Sequence, residues 1–174
     1  MEITKNNVDA MGDIIEMITP WTKKEEQNQT IAILAILAGS FLLRSFPFNL
    51  NDFRAGEVLN MHSENEQAKE KELEVIMRSS LELFGIHVDY MRLITNNQTI
   101  DEQINYLEVV KRFQGPALQI MKIRNLTYEQ MAHSCAMATT FFIKNGNIDL
   151  GYKTAFYYFV VGSRTCPPDF NEKN

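Results

Sequence analysis

The chain has 174 residues, 45% hydrophobic and 22% charged, with 22 acidic side chains against 17 basic ones and a formal charge of −5. That length suits one domain able to bury about 70% of the surface its unfolded form would expose. Two cysteines, Cys135 and Cys166, are too few and too far apart for a disulfide framework, and the acidic balance excludes a general nucleic-acid binder, which carries a basic footprint.

The first apolar stripe, Val8, Met11, Ile15 and Ile18, predicts a helix over 8–20 closed by Pro20. Thr22 with Glu25 then has the spacing of a capping box, in which each side chain satisfies the other's exposed backbone donor, and opens a second helix over 22–44. This helix carries its charge early and becomes apolar all round in IAILAILAGSFLL, Ile31 to Leu43. A bilayer crossing needs about 20 apolar residues, and this run stops at Arg44 with Pro47 close behind. Its upstream flank, TKKEEQNQ, mixes both charge signs, unlike the basic start of a secretory signal. The expectation is a buried central helix in a cytoplasmic protein. Gly39 and Ser40 would let a neighbour approach closely, and Arg44 would sit where the helix C-terminus favours a cation.

A third helix is expected over 51–61, after a proline turn ringed by Phe46, Phe48 and Phe53. Ser63 with Glu66 caps a fourth, 64–84, whose stripe is Leu73, Ile76, Met77, Ser80, Leu81 and Phe84, with Gly85 as its stop. IHVDY, Ile86 to Tyr90, alternates like a short strand. Thr99 with Glu102 opens 100–114, with Ile104, Leu107, Val110 and Phe113 on one face; Gly115 and Pro116 separate it from a further helix over 116–124. Thr127 with Gln130, stapled by Leu126 and Met131, opens 128–144, whose stripe is Met131, Cys135, Ala138 and Phe142.

The last helix, 149–161, takes Asp149 as its cap. Its TAFYYFVV run has the composition of a strand, but Tyr152, Ala155, Phe156 and Phe159 share a helical face. Residues 163–174 read as an irregular tail. The whole chain, 1–174, is thus expected to be all-α: a single-domain bundle of about seven or eight helices around a buried central hydrophobic helix. Across KNGNID, Lys144 to Asp149, the last two helices resemble a helical hairpin of the tetratricopeptide type in the Gly-Asn turn and following cap. No period of about 34 residues accompanies it, so no function is carried over.

Signals for chemistry are sparse. His62, Glu66, Glu70 and Glu74 are spaced by four and are lesser candidates for a metal face. Against them, Ser63 as the cap leaves His62 outside the helix, and Lys69 and Lys71 interleave as on a solvated surface. Carboxylate bundles that hold two metals use Glu-x-x-His pairs, a spacing that does not occur. His133 and Cys135 lie about 200° apart on a helix, too far round for a dyad. Cys135 belongs to the apolar stripe, whereas Cys166, near Arg164, is expected to be exposed. His87 and Asp89 lack a third partner, no glycine-rich phosphate loop precedes a helix, and Lys111, Arg112, Lys122 and Arg124 form a basic patch diluted by Glu108.

What remains is surplus aromatic surface. Tyr152, Phe156, Tyr157, Tyr158 and Phe159 exceed what one buried face can hold, and tyrosine suits a contact surface because it joins a large apolar area to a water-tolerant hydroxyl. The expected partner-binding residues are Tyr157, Tyr158, Tyr152, Phe48 and Phe53. The sequence therefore points to a non-enzymatic protein acting by stoichiometric protein–protein binding, such as an antagonist or inhibitor, an immunity protein or a secretion chaperone. Its partner would be another protein, with a basic surface matching the acidic chain, or a second copy of itself. No catalytic residue, cofactor, nucleic acid or membrane is expected. The alternatives are a helical-bundle enzyme with a carboxylate-based metal site, and a helical domain that binds a small apolar ligand.

Overall fold

In the computed structural model, which describes residues 2–22, 26–60, 63–100 and 103–168, every α-helix but one starts on a side chain that accepts from its free backbone donors. Thr4 and Asn7 form a capping box for α1 (Lys5–Ile18), as do Ser63 with Glu66 for α3 (Glu64–Leu83) and Thr127 with Gln130 for α6 (Tyr128–Lys144). Asp89, Asn105 and Asn147 cap α4 (Tyr90–Thr95), α5 (Tyr106–Ile123) and α7 (Ile148–Arg164). The exception is α2 (Gln27–Ser45), whose Glu26 cap makes no such bond. Glu25 and Glu102 lie outside the described residues, so neither of their expected capping boxes can be placed; α5 starts instead on Asn105.

Two helices stop on left-handed residues. Gly85 has φ 75° and Asn125 has φ 51°. Beyond them, Ile86 N–H donates to Leu81 O and Leu126 N–H to Met121 O, the six-to-one bond of a Schellman stop.

The seven α-helices form one all-α bundle, with no strand among the described residues. α2 is its axis. It is enclosed chiefly by α7 and α6, with α5 and α3 at its flanks, while α1 packs on α6 and α5. From Thr30 to Leu43 every residue of α2 except Ile33 is buried. At 19 residues α2 is long and apolar enough to cross a membrane by length and composition alone, more than the Ile31–Leu43 run implied, and 72% of that window is buried inside the bundle.

The α2–α7 contact is made by missing side chains. A Cβ on Gly39 would stand 2.3 Å from the Phe159 carbonyl oxygen, and one on Gly162 would stand 2.5 Å from that of Ile36. The two backbones therefore touch directly, as expected at Gly39. Arg44, in the last turn of α2, faces the buried Gln114 side-chain amide, whose oxygen accepts from the guanidinium in the amide orientation that satisfies both groups.

Several expectations are corrected. The face of α1 is Asn7, Ala10, Ile14 and Ile18, with Val8 left 45% exposed. Asn7 is a polar residue at a buried position, held by bonds from its amide to Gln130 O and Ser134 Oγ. No helix forms over 51–61. After a 3-10 turn at Leu50–Asp52, backbone groups of this segment pair with the chain end: Gly56 N–H with Cys166 O, Cys166 N–H with Glu57 O, and Leu59 N–H with Arg164 O.

IHVDY is no strand, because none of the described residues forms a ladder with it and Asp89 is used as a cap. Gly115 and Pro116 do not end a helix, since α5 runs through them with Pro116 on its exposed side and its apolar face continuing from Phe113 to Ala117 and Met121. Asp149 is not a cap but a buried acceptor for Arg92 Nε at 2.5 Å. The TAFYYFVV segment is helical. The tail starts later than 163, because α7 continues to Arg164 and Thr165 bridges to Val58.

Candidate functional site

α7 is buried on its α2 side, where Tyr152, Ala155, Tyr158 and Phe159 enter the core. Its outer side presents Phe156, 45% exposed. Three hollows meet at this ring. One, of about 380 Å³, lies between Tyr90, Leu93 and Ile94 of α4 and Tyr152 of α7. The second, also about 380 Å³, is lined by Ile100, Tyr157, Val160 and Val161. A smaller one of about 180 Å³ runs toward α3 past Gln67, Glu70 and Arg164. Exposed Met91 and Ile94 extend the apolar surface over α4.

Polar groups fix the walls of this face. Glu74 Oε1 accepts from the hydroxyls of Tyr90 (2.8 Å) and Tyr152 (2.7 Å), and Arg78 donates to Tyr90. Burial, reinforced by these bonds, pushes the Tyr152 hydroxyl well above the usual phenol range, so it stays protonated and serves as a donor. On the α3 side, Arg164 grips Glu70 with two nitrogens, at 2.9 and 2.7 Å, and Ser163 Oγ donates to the same carboxylate. Lys153 donates to the Asn96 carbonyl oxygen and ties α7 to the segment after α4. The face is apolar in the middle and pinned by charge at its edges.

The five aromatic residues singled out in the sequence are not gathered on one surface. Tyr158 is 1% exposed and Tyr152 3% exposed, so both are core residues in this conformation. Tyr157 is partly buried, edge-on to Tyr158 at 5.0 Å. Phe48 stacks edge-on with Phe46 over a small separate core of Leu43, Leu59 and Cys166, and Phe53 is exposed. Cys166 is therefore buried, not exposed, because the chain end folds back against the segment after α2. Phe156, one of the surplus aromatics, shares a helical face with Tyr152, Ala155 and Phe159 in the sequence, yet it alone of the four is exposed. The sign of its exposure was the α2 contact through Gly162, which turns the opposite side of α7 outward.

The expected acidic candidates are already engaged. Glu66 closes the Ser63 capping box, Glu70 holds Arg164, Glu74 binds the two tyrosines, and His62 lies outside the described residues. Two of the four basic residues of α5 and its C-cap are drawn in different directions. Arg112 lies on the Trp21 ring at 3.9 Å, and Arg124 is paired with Asp13 at 2.6 Å and Asp9 at 3.6 Å.

A different cluster joins α3 to α6. One ligand atom each from Glu72, Glu129 and His133 lies within 4.8 Å of the others. His133 is 4% exposed, and neither of its ring nitrogens has a hydrogen-bond partner. Burial holds its proton affinity below the ordinary imidazole value, against the pull of Glu72 and Glu129, so the neutral ring with a free lone pair is favoured. The sequence signal was Glu129-x-x-x-His133, a four-residue spacing that places both on one face of a helix. Glu72 joins them only through tertiary packing.

Comparison with protein-family models, with curated proteins and with solved structures finds no match to this chain.

Proposed function

We propose that the protein acts by stoichiometric binding of another protein through the outer face of α7, as a cytoplasmic antagonist, immunity protein or secretion chaperone would. The observation that carries this reading is Phe156, a half-exposed ring where three hollows meet on a surface braced by ion pairs. Interfaces draw most of their energy from a few apolar or aromatic anchors at such centres, ringed by polar groups. The hollows accept apolar side chains from a partner, and the formal charge of −5 favours one with a basic surface. Both cysteines are buried, and Cys135 is a free thiol inside the core, which suits a reducing compartment.

The test is a photo-reactive phenylalanine analogue at position 156, cross-linked in cells, with Phe156→Glu and Tyr158→Ala beside it. The expected result is a discrete one-to-one adduct, loss of complex in Phe156→Glu and an almost unchanged melting temperature for that variant. Tyr158→Ala should instead cost about 3–5 kcal/mol of stability, as truncation of a buried aromatic does. A complex untouched by Phe156→Glu would overturn the reading. Light scattering of the purified protein tests whether the occupant is a second copy.

A second reading has its own support. The hollow beside Tyr90 and Tyr152 has the size of a small-ligand site and a polar group, Glu74, at its wall. An environment-sensitive apolar dye displaced by Ile94→Glu but not by Phe53→Glu would favour it.

A further inference from the structure

We propose that Glu72, Glu129 and His133 bind a first-row divalent transition-metal ion at the contact between α3 and α6. The three donors come from two helices that pack together, Glu72 from α3 and the other two from successive turns of α6. Glu129 sits in the first turn of α6 and His133 one turn further on, so their side chains project side by side toward α3.

His133 is what distinguishes this cluster from an ordinary acidic patch. A side chain 4% exposed, with both ring nitrogens unbonded, breaks the rule that buried polar groups find partners. A metal ion supplies the missing partner for one nitrogen, and the two carboxylates beside it supply the compensating charge. Bonds of about 2.1 Å in a tetrahedral site put ligand atoms roughly 3.4 Å apart. Donors that already stand within 4.8 Å of one another therefore close by at most about 1.4 Å, a side-chain adjustment on fixed helices.

The donor set selects the ion. Two carboxylates alone would suit magnesium, calcium or manganese, but an imidazole shifts the preference to zinc, copper, iron or nickel. Three protein ligands also leave at least one position for water, as in open zinc sites, and both carboxylates are only partly buried. Lys69 belongs to the same picture. Its ammonium sits 2.5 Å from Glu129 Oε1, so one of the two carboxylates is already paired with a cation that an incoming ion would displace.

The test is isothermal titration of the chelator-treated full chain with Zn²⁺ alone, in the presence of excess Mg²⁺, with Co²⁺ absorption as a spectroscopic check. One ion per chain is expected, with a rise in melting temperature. His133→Gln and Glu72→Gln should each weaken binding at least tenfold, and Glu82→Gln, at an exposed position of α3, should leave it unchanged. Lys69→Met should tighten binding, an outcome that a purely structural ion pair would not give. Should His133→Gln fail to fold, Glu72→Gln, at a partly buried position, carries the comparison. Absence of stoichiometric Zn²⁺ binding, binding unmoved by Glu72→Gln, or binding not tightened by Lys69→Met overturns the site.

Discussion

Asn7 and Asp13 sit one above the other in importance for how α1 is held, the first in the core and the second at its edge. Asn7 is fully buried and uses its amide on both sides: the oxygen accepts from Thr4 N–H and Oγ, and the nitrogen donates to Gln130 O and Ser134 Oγ. One side chain thus closes the start of α1 and fastens it to α6. Asp13 faces Arg124 through two bonds, 2.6 and 2.9 Å long, and this donation holds its carboxyl below the ordinary aspartate value of 3.8. A depressed folded-state value means that the unfolded chain takes up the proton first as the solution is acidified. The stabilisation is therefore complete above the unfolded value and is lost as pH falls through the folded one. In Arg124→Met the Asp13 carboxyl should titrate near its ordinary value, measured by NMR, and the Asp13 share of the acid loss of stability should disappear, leaving a variant less stable at neutral pH with a shallower acid limb. An unchanged Asp13 titration would show that the guanidinium is not the cause.

Elements differ in how openly the sequence announces them, and the difference follows from which forces fix them. α3, α6 and α2 were legible because caps, stripes and an all-apolar run are local properties. α1 was legible as a helix but not in orientation, since its buried face contains Asn7 where pattern reading looks for an apolar residue. α5 was split at Gly115–Pro116 because proline lacks the donor for the Arg112 carbonyl; packing of Phe113, Gln114, Ala117 and Met121 outweighs that loss. The segment after α2 was misread as a helix because its partner, 164–166, is more than a hundred residues distant in the chain. The exposed Phe156 and the Glu72–Glu129–His133 cluster share this limit, for each depends on which helix packs against which. At the α2–α7 crossing the sensitivity is sharpest. Gly39→Ala and Gly162→Ala each drive a methyl into opposing backbone and should destabilise by about 1–3 kcal/mol or more. Urea unfolding of the two single variants and the double variant measures this, and the double should cost less than the sum, because one separation of the helices relieves both clashes.

At the scale of the molecule, stability should be graded outward from α2. Its amides between Ile31 and Leu43 can meet solvent only when α6 and α7 come away, so they should exchange at the rate set by global unfolding. α4, six residues long and resting on α7, should exchange much faster through local opening. Amide hydrogen exchange resolves both, and α2 exchanging ahead of α6 would contradict the enclosure described above. The order of elements adds a timing problem. α2 is complete at Ser45, but the helix that covers most of it finishes at Arg164, roughly 120 residues later. At ribosomal speeds of about 5–20 residues per second, the oiliest part of the chain waits some 6 to 24 s for its cover. During that interval it is a nascent apolar rod in search of shelter, and the cell's holding factors, not the finished bundle, must keep it from the wrong company.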